Sequence, residues 1–270
     1  MQDSKLAELA KSLPPSVRIA MPAENVLQVS LARVNKRNAL DDITVLGLGT
    51  VFAALPPGIG AVIVAGEGDH FSSGLDLTEL STRDIPAGIE HSRLWYGVFE
   101  RIQFGSVPVI SVLKGAVIGG GLELACATHL RVAETSAFYA LPEGQRGIFV
   151  GGGGSVRLSR LIGVSRMMDM MLTGRSYDAE GGQAMGISHY LVEPGKGLEK
   201  ALEIAAKVSA NAPMTNFAVL HALPRIAEAD PATGYLTEAL MGAIAQGDDE
   251  AKRRIRDFLE KRGGKVVAPK

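Results

Sequence analysis

A single cysteine, Cys126, stands in a chain of 270 residues. No internal disulfide framework can form, and the composition fits a reducing compartment, with a cytoplasmic location as the expectation. A surplus of either charge is missing as well: 28 lysines and arginines face 29 aspartates and glutamates, for a net charge of −1. Without a basic excess, neither nucleic acid nor an anionic membrane surface is an expected partner. Metal-ligand spacing is absent, because the five histidines (70, 91, 129, 189 and 221) are scattered and neither HxxxH nor CxxC occurs. The longest apolar run, 107–121, is broken by Lys114 and rich in glycine, so it does not read as a membrane helix. The N-terminus, MQDSKLAELAKSL, carries charge from residue 3 and reads as neither signal peptide nor membrane span. Walker GxxxxGK[ST], GxGxxG and GxSxG are all lacking.

What the chain does have is 46% hydrophobic residues, enough for a sizeable core at a length within single-domain range. The most telling stretch is KGAVIGGGLE, 114–123. The β-branched run 107–112 reads as a buried strand, three glycines follow at 119–121, and Leu122–Ala127 are good helix formers. Strand, glycine turn and helix follow one another, with Glu123 in the first helical turn. Glycine lets a ligand approach the backbone, and the free N–H groups of a helix start can receive negative charge.

Other elements alternate in the same way. Strands are expected at 26–31, 61–65, 107–113, 130–133 and 137–140, and helices at 1–16, 42–52, 86–104 and throughout the last third, including 236–261. Strands separated by helices imply parallel pairing and an α/β fold. Three features carry chemistry. FSSGLDL, 71–77, offers a second glycine turn ahead of an expected helix start. Its N–H paired with one from Gly119–Gly121 would form an oxyanion hole, each donor being worth roughly 2.7–4 kcal/mol where charge develops in a dry site. Glu143, in Leu-Pro-Glu-Gly, is the second carboxylate of a pair with Glu123, and two carboxylates around one water can divide acid and base work. The run GIFVGGGG, 147–154, opens another helix, with close packing against neighbouring loops its expected role.

Six segments in a fixed order, RVNKRNAL, GEGDHFSSGLDL, VPVISVLKGAVIGGGLELA, LPEGQRGIFVGGGGSVRLSRLIG, LTGRSYDAEGGQAMGI and FLEKR, resemble the crotonase (enoyl-CoA hydratase/isomerase) superfamily from about residue 25 to 264. The resemblance implies a crotonase-like spiral of ββα units over 1–200, preceded by an extra segment at 1–20, and a C-terminal helical trimerisation region over 201–270. It implies an acyl-CoA substrate, no cofactor beyond the coenzyme A of that substrate, and a homotrimer or dimer of trimers. It puts oxyanion donors on the backbone N–H groups of Leu75 and Gly120, and the hydratase acids on Glu123, holding water, and Glu143, delivering the Cα proton. Arg33, Lys36 and Arg37 fall near the CoA phosphates, Ala39, Ser73, Asp76 and Leu77 around adenine and pantetheine, and Phe258 and Lys261 at a neighbouring subunit's CoA. Trp95, Tyr96, Phe99 and Phe149 are expected to wall the acyl pocket. Thr78 stands where hydratases of the family often have lysine, and Arg33-Val34 replaces the usual Arg-Pro. The expected reaction is hydration of a 2-enoyl-CoA. The alternatives are a double-bond isomerase, a hydratase-lyase or a non-catalytic acyl-CoA-binding paralogue.

Overall fold

The computed structural model describes residues 2–79, 83–260 and 262. A first helix, α1 (Gln2–Ser12), precedes an antiparallel pair, β1 (Val17–Ala23) and β2 (Val26–Leu31). There follow α2 (Asp42–Ala53), β3 (Ala61–Gly66), α3 (Ile85–Gln103), β4 (Val109–Leu113), β5 (Ala116–Ile118) and α4 (Gly120–Ala127). Next come β6 (Leu130–Glu134), β7 (Phe138–Ala140), α5 (Gly154–Ile162), α6 (Val164–Thr173), β8 (Tyr177–Asp178), α7 (Ala179–Met185), β9 (Tyr190–Val192) and α8 (Gly197–Ser209). Six strands form one sheet in the order β1-β2-β3-β4-β6-β9, parallel beyond the first pair. The central strands β3 and β4 are buried along their whole length, which is why they read as continuous apolar runs without alternation.

The chain repeats one course: a strand of the large sheet, a short extended segment in a second layer, then a helix. β2 leads to Leu40 and α2, β3 to Ser72–Leu75 and α3, β4 to β5 and α4, and β6 to β7 and α5. The second-layer segments lie side by side. Leu40 bridges Leu75, Ser72 bridges Val117, and β5 pairs with β7, all in parallel. Parallel stacking in register brings the ends of these segments together at one place, so Leu75, Gly119–Gly120 and Glu143 become neighbours.

Two apolar layers sandwich the large sheet. Val62 and Val64 of β3 face the interior helices with Leu48, Phe99 and Leu124. Ile63 faces the other way, packing with Ile110, Val132, Ala201 and Ile204. α8 therefore covers the outer face, and the expected boundary at residue 200 falls inside it. The chain divides instead into one compact unit ending at Ser209 and a second beginning at Ala210. The second unit is helical: α9 (Pro213–Phe217), a π turn Ala218–Ala222, α10 (Leu223–Glu228), α11 (Pro231–Gly247) and α12 (Asp249–Leu259). The single helix expected over 236–261 is broken at Asp248, whose side chain accepts from the N–H groups of Glu250 and Ala251 and so starts a new helix. The helix expected after FSSGLDL is a 3-10 turn, Leu77–Glu79. β1 was not foreseen; it is an edge strand with alternate exposed residues. Among the described residues, no helix is long and apolar enough to cross a membrane.

Asn38 fastens the first two courses together. It is buried at φ +55°, a conformation asparagine tolerates better than most residues, and its Nδ2 donates to the carbonyls of Glu67 and His70 at 2.9 and 2.8 Å. Its own carbonyl accepts from Ser72 Oγ at 2.8 Å. Asn38→Ala strands two buried carbonyls and keeps a strained φ, so we expect a loss of roughly 2–4 kcal/mol in urea unfolding. An unchanged midpoint would show that this fastening contributes nothing.

Candidate active site

α4 is short and begins at Gly119, whose φ of +51° suits glycine alone among common residues and turns the chain sharply out of β5. A Cβ at Gly119 would lie 2.5 Å from Glu143 Oε1, so the second acid sits directly against this turn. The N–H of Gly120, in the first helical position, has no intrahelical partner. Across from it, Leu75 is bridged to Leu40 through its flanking amides: Leu40 N–H donates to Gly74 O and Asp76 N–H to Leu40 O, at 2.8 and 2.7 Å. That parallel bridge leaves the N–H of Leu75 on the opposite edge. A Cβ on Gly120 would come within 3.4 Å of Leu75 N, and one on Gly74 within 3.3 Å of Gly120 N. The two amides are thus adjacent, and neither donates to an acceptor among the described residues.

Both carboxylates open onto the same cavity of about 270 Å³, together with Leu75 and Gly120. Their surroundings differ. Glu123 Oε1 accepts from the N–H groups of Gly152 and Gly154, at 2.8 and 2.7 Å. The glycine run 151–154 is therefore the cradle of a carboxylate, with an amide of the turn and the first amide of α5 aimed at it, a role that its reading as a packing loop had missed. Arg157 braces this turn, donating from its NH1 group to Gly152 O at 3.0 Å and from Nε to Gln103 Oε1 at 2.6 Å. Burial raises the pKa of Glu123, and the amides of Gly154, Gly152 and Gly151 oppose that rise. Glu143 has less support: its Oε2 is buried with no hydrogen-bond partner among the described residues. Burial first, and the charge of Glu123 second, push its pKa up to about 7.

The other expected residues divide. Ser73, Leu77, Trp95 and Phe149 line the cavity. Tyr96 and Phe99 do not: Tyr96 faces outward, half exposed, and Phe99 is fully buried edge-on to Trp95 at 5.9 Å and behind Gly152. Arg33 and Lys36 are engaged within the protein, meeting Asp76 at 2.9 and 2.8 Å, and Arg33 also reaches Asp41 at 3.1 Å and the carbonyl of Ala39 at 2.8 Å. Lys36, then Thr78 and Arg33, hold Asp76 well below the ordinary carboxylate range. Arg37 is exposed at φ +51°. Phe258 is exposed on α12 in the second unit, and Lys261 lies outside the described residues. Cys126 is buried on α4, its thiol pushed up to about 11. His129 is structural, with Nδ1 accepting from Val109 N–H and Nε2 at 2.8 Å from Gln103 O.

Residues 22–265 match the profile of the enoyl-CoA hydratase/isomerase family. The chain belongs to that family. It is 30% identical over 243 residues to the 2,3-dehydroadipyl-CoA hydratase of Escherichia coli, covering 88% of this chain and 94% of that protein. It is also 30% identical over 240 residues to the short-chain-enoyl-CoA hydratase of Clostridium acetobutylicum, covering 88% and 92%. Among solved structures, a Rhodopseudomonas palustris protein provisionally named an enoyl-CoA hydratase is 58% identical, with a TM-score of 0.90 over 93% of this chain and 97% of that one. An enoyl-CoA hydratase from Bacillus anthracis superposes with a TM-score of 0.86 at 27% identity, over 93% and 98%. The ββα courses are those of the crotonase fold, as the resemblance implied.

The raised pKa of Glu143 has a cost in stability. Below pH 4.5 the acid is protonated in the folded and the unfolded chain alike, and no penalty arises. Between 4.5 and about 7 the unfolded chain ionises first, and the folded state loses ~1.4 kcal/mol per pH unit, about 3 kcal/mol in all. Glu143→Gln should therefore be more stable than wild type by about 1–3 kcal/mol at pH 8 and no different near pH 4.5, as read by urea unfolding at the two values. Equal stability at both would show that Glu143 is not a raised acid.

Proposed function

We propose that this member of the enoyl-CoA hydratase/isomerase family adds water across the 2,3 double bond of a 2-enoyl-CoA thioester. One observation carries the reading: two adjacent unengaged amides and two differently held carboxylates share one cavity. The thioester oxygen accepts from Leu75 and Gly120, which draws electron density from the double bond and leaves Cβ electrophilic. Oε1 of Glu123 is occupied by two amides, so Oε2 is left to hold the water. Water oxygen bonds to Cβ, one of its protons passes to Glu123, and the enolate charge gathers on the thioester oxygen. Glu143 then gives its proton to Cα, and the oxygen charge collapses back into the carbonyl. With a pKa of about 7, Glu143 carries that proton in about half of the molecules at neutral pH and can regain it in each cycle.

No bound cofactor is required in this scheme, since coenzyme A arrives with the acyl group. Arg37 and the Arg33–Lys36–Asp76 cluster would meet the nucleotide end. A homotrimer, or two of them paired, would bring Phe258 and Lys261 to a neighbour's site. The two curated relatives are named for different acyl groups, so the family alone does not set this protein's acyl chain.

Glu123→Gln and Glu143→Gln should each lower the rate of crotonyl-CoA hydration by roughly 10²–10⁴-fold with circular dichroism unchanged. Wild-type turnover in either variant rejects the assignment, and faster conversion of 3-enoyl-CoA than hydration of 2-enoyl-CoA would favour an isomerase. A subtler substitution tests the cradle. A Cβ at Gly154 would stand 2.6 Å from Glu123 Cγ, so Gly154→Ala should displace the carboxylate and cut kcat by at least about tenfold. An unaltered kcat would show that the cradle does not orient Glu123.

A further inference from the structure

The α3 wall of the cavity carries a polar group that the hydration chemistry leaves unused. His91 lines the cavity one helical turn before Trp95, and its side chain is only 10% exposed. Its Nδ1 lies 2.8 Å from Asp42 Oδ1. The same oxygen accepts from Trp95 Nε1–H at 2.7 Å, and Arg83 holds Oδ2 at 2.8 Å. A carboxylate bound by an indole N–H and a guanidinium is ionised and can only accept. Nδ1 must therefore carry a proton. Burial, ahead of the opposing pull of Asp42, lowers the pKa of His91, so the ring is neutral at neutral pH and its lone pair sits on Nε2. Nε2 makes no hydrogen bond among the described residues. The ring also rests against Trp95, with centroids 5.0 Å apart, and the edge of Trp95 lies over Gly120, one of the two oxyanion donors.

We propose that Nε2 of His91 accepts a hydrogen bond from a hydroxyl group on the acyl chain, so that the protein selects hydroxylated acyl-CoA substrates. A plain hydrocarbon chain in this cavity would cover the lone pair and leave it dry, whereas a hydroxyl would satisfy it. A terminal carboxylate offers no proton to Nε2. Asp42 is a positioning residue here: it fixes the tautomer and the ring angle, and Nε2 is the group that touches substrate. The inference rests on acyl-CoA occupying the cavity, as the hydration reading requires, but not on the hydration step itself.

Saturated acyl-CoA thioesters separate the two, because they bind without turning over. Matched pairs with and without a terminal hydroxyl, at four, six and eight carbons, and adipyl-CoA for comparison, would be titrated calorimetrically into the full-length protein. At the fitting length the hydroxyl should tighten wild-type binding about tenfold. His91→Asn keeps a partner for Asp42 but lacks an atom at Nε2, so it should abolish that preference, with the unsubstituted chain binding the variant at least as tightly as it binds wild type. His91→Phe should do the same if the asparagine variant does not fold. Absence of a hydroxyl preference at every length overturns the proposal, as do its persistence in the variants and tighter binding of adipyl-CoA. Equal loss for both members of each pair also overturns it, since His91 would then contact the CoA arm. A hydroxyl preference in a protein that fails to hydrate crotonyl-CoA would uphold this inference and reject only the earlier one.

Discussion

Two amides from one glycine turn meeting one carboxylate oxygen determine much of the site. The N–H groups of Gly152 and Gly154 converge on Glu123 Oε1, and Arg157 holds the turn that carries them. Glu123 is almost wholly buried on a short helix, where an ionised carboxylate without partners would be prohibitively expensive. The turn supplies those partners, and Arg157 and Gln103 fix the turn to α3. A single hydrogen-bonded chain thus runs from the α3 end through Arg157 and the glycine turn to the acid. Glu143 has no such support, and the contrast between the two acids follows from that difference in partners rather than from residue type.

The stacked courses explain how residues far apart in sequence arrive together. Each second-layer segment is only a few residues long, and none would be stable alone. Bridging to the next course in parallel register makes each one the template for its neighbour, and the register sets which amide looks into the cavity. Leu75 presents its N–H there because its neighbours in the chain, not Leu75 itself, hold the bridge to Leu40. A slip of one residue would turn that amide away.

Much of this was legible beforehand because it is written locally. The strands expected over 26–31 and 107–113 appear where their apolar runs put them, and the glycine turn and helix follow in the order read, although the stretch between Lys114 and Gly119 also forms the short strand β5. The helix break at Asp248 was also encoded, as a glycine followed by a capping aspartate, but apolar periodicity running across it masked the signal. What stayed hidden depends on distant partners. GGGG looks alike whether it packs or cradles a carboxylate, and only the arrival of Glu123 decides. Asp42 and His91 lie on separate helices with nothing local to announce their pairing. The pairing of Arg33 and Lys36 with Asp76 could not be read from either segment, because that carboxylate lies some forty residues downstream. Tyr96 follows Trp95 by one position and so faces away from it, whereas Phe99, one turn beyond Trp95, shares its face but lies deeper, behind Gly152.

The lone thiol has a further consequence. Cys126 is one helical turn beyond Glu123, enclosed by protein and disinclined to ionise. A maleimide or disulfide reagent can reach it only when α4 opens, so its labelling rate is an intrinsic gauge of how often the helix bearing Glu123 comes undone. The chain has no other cysteine to confuse that signal, and no dye or tag needs to be engineered to obtain it.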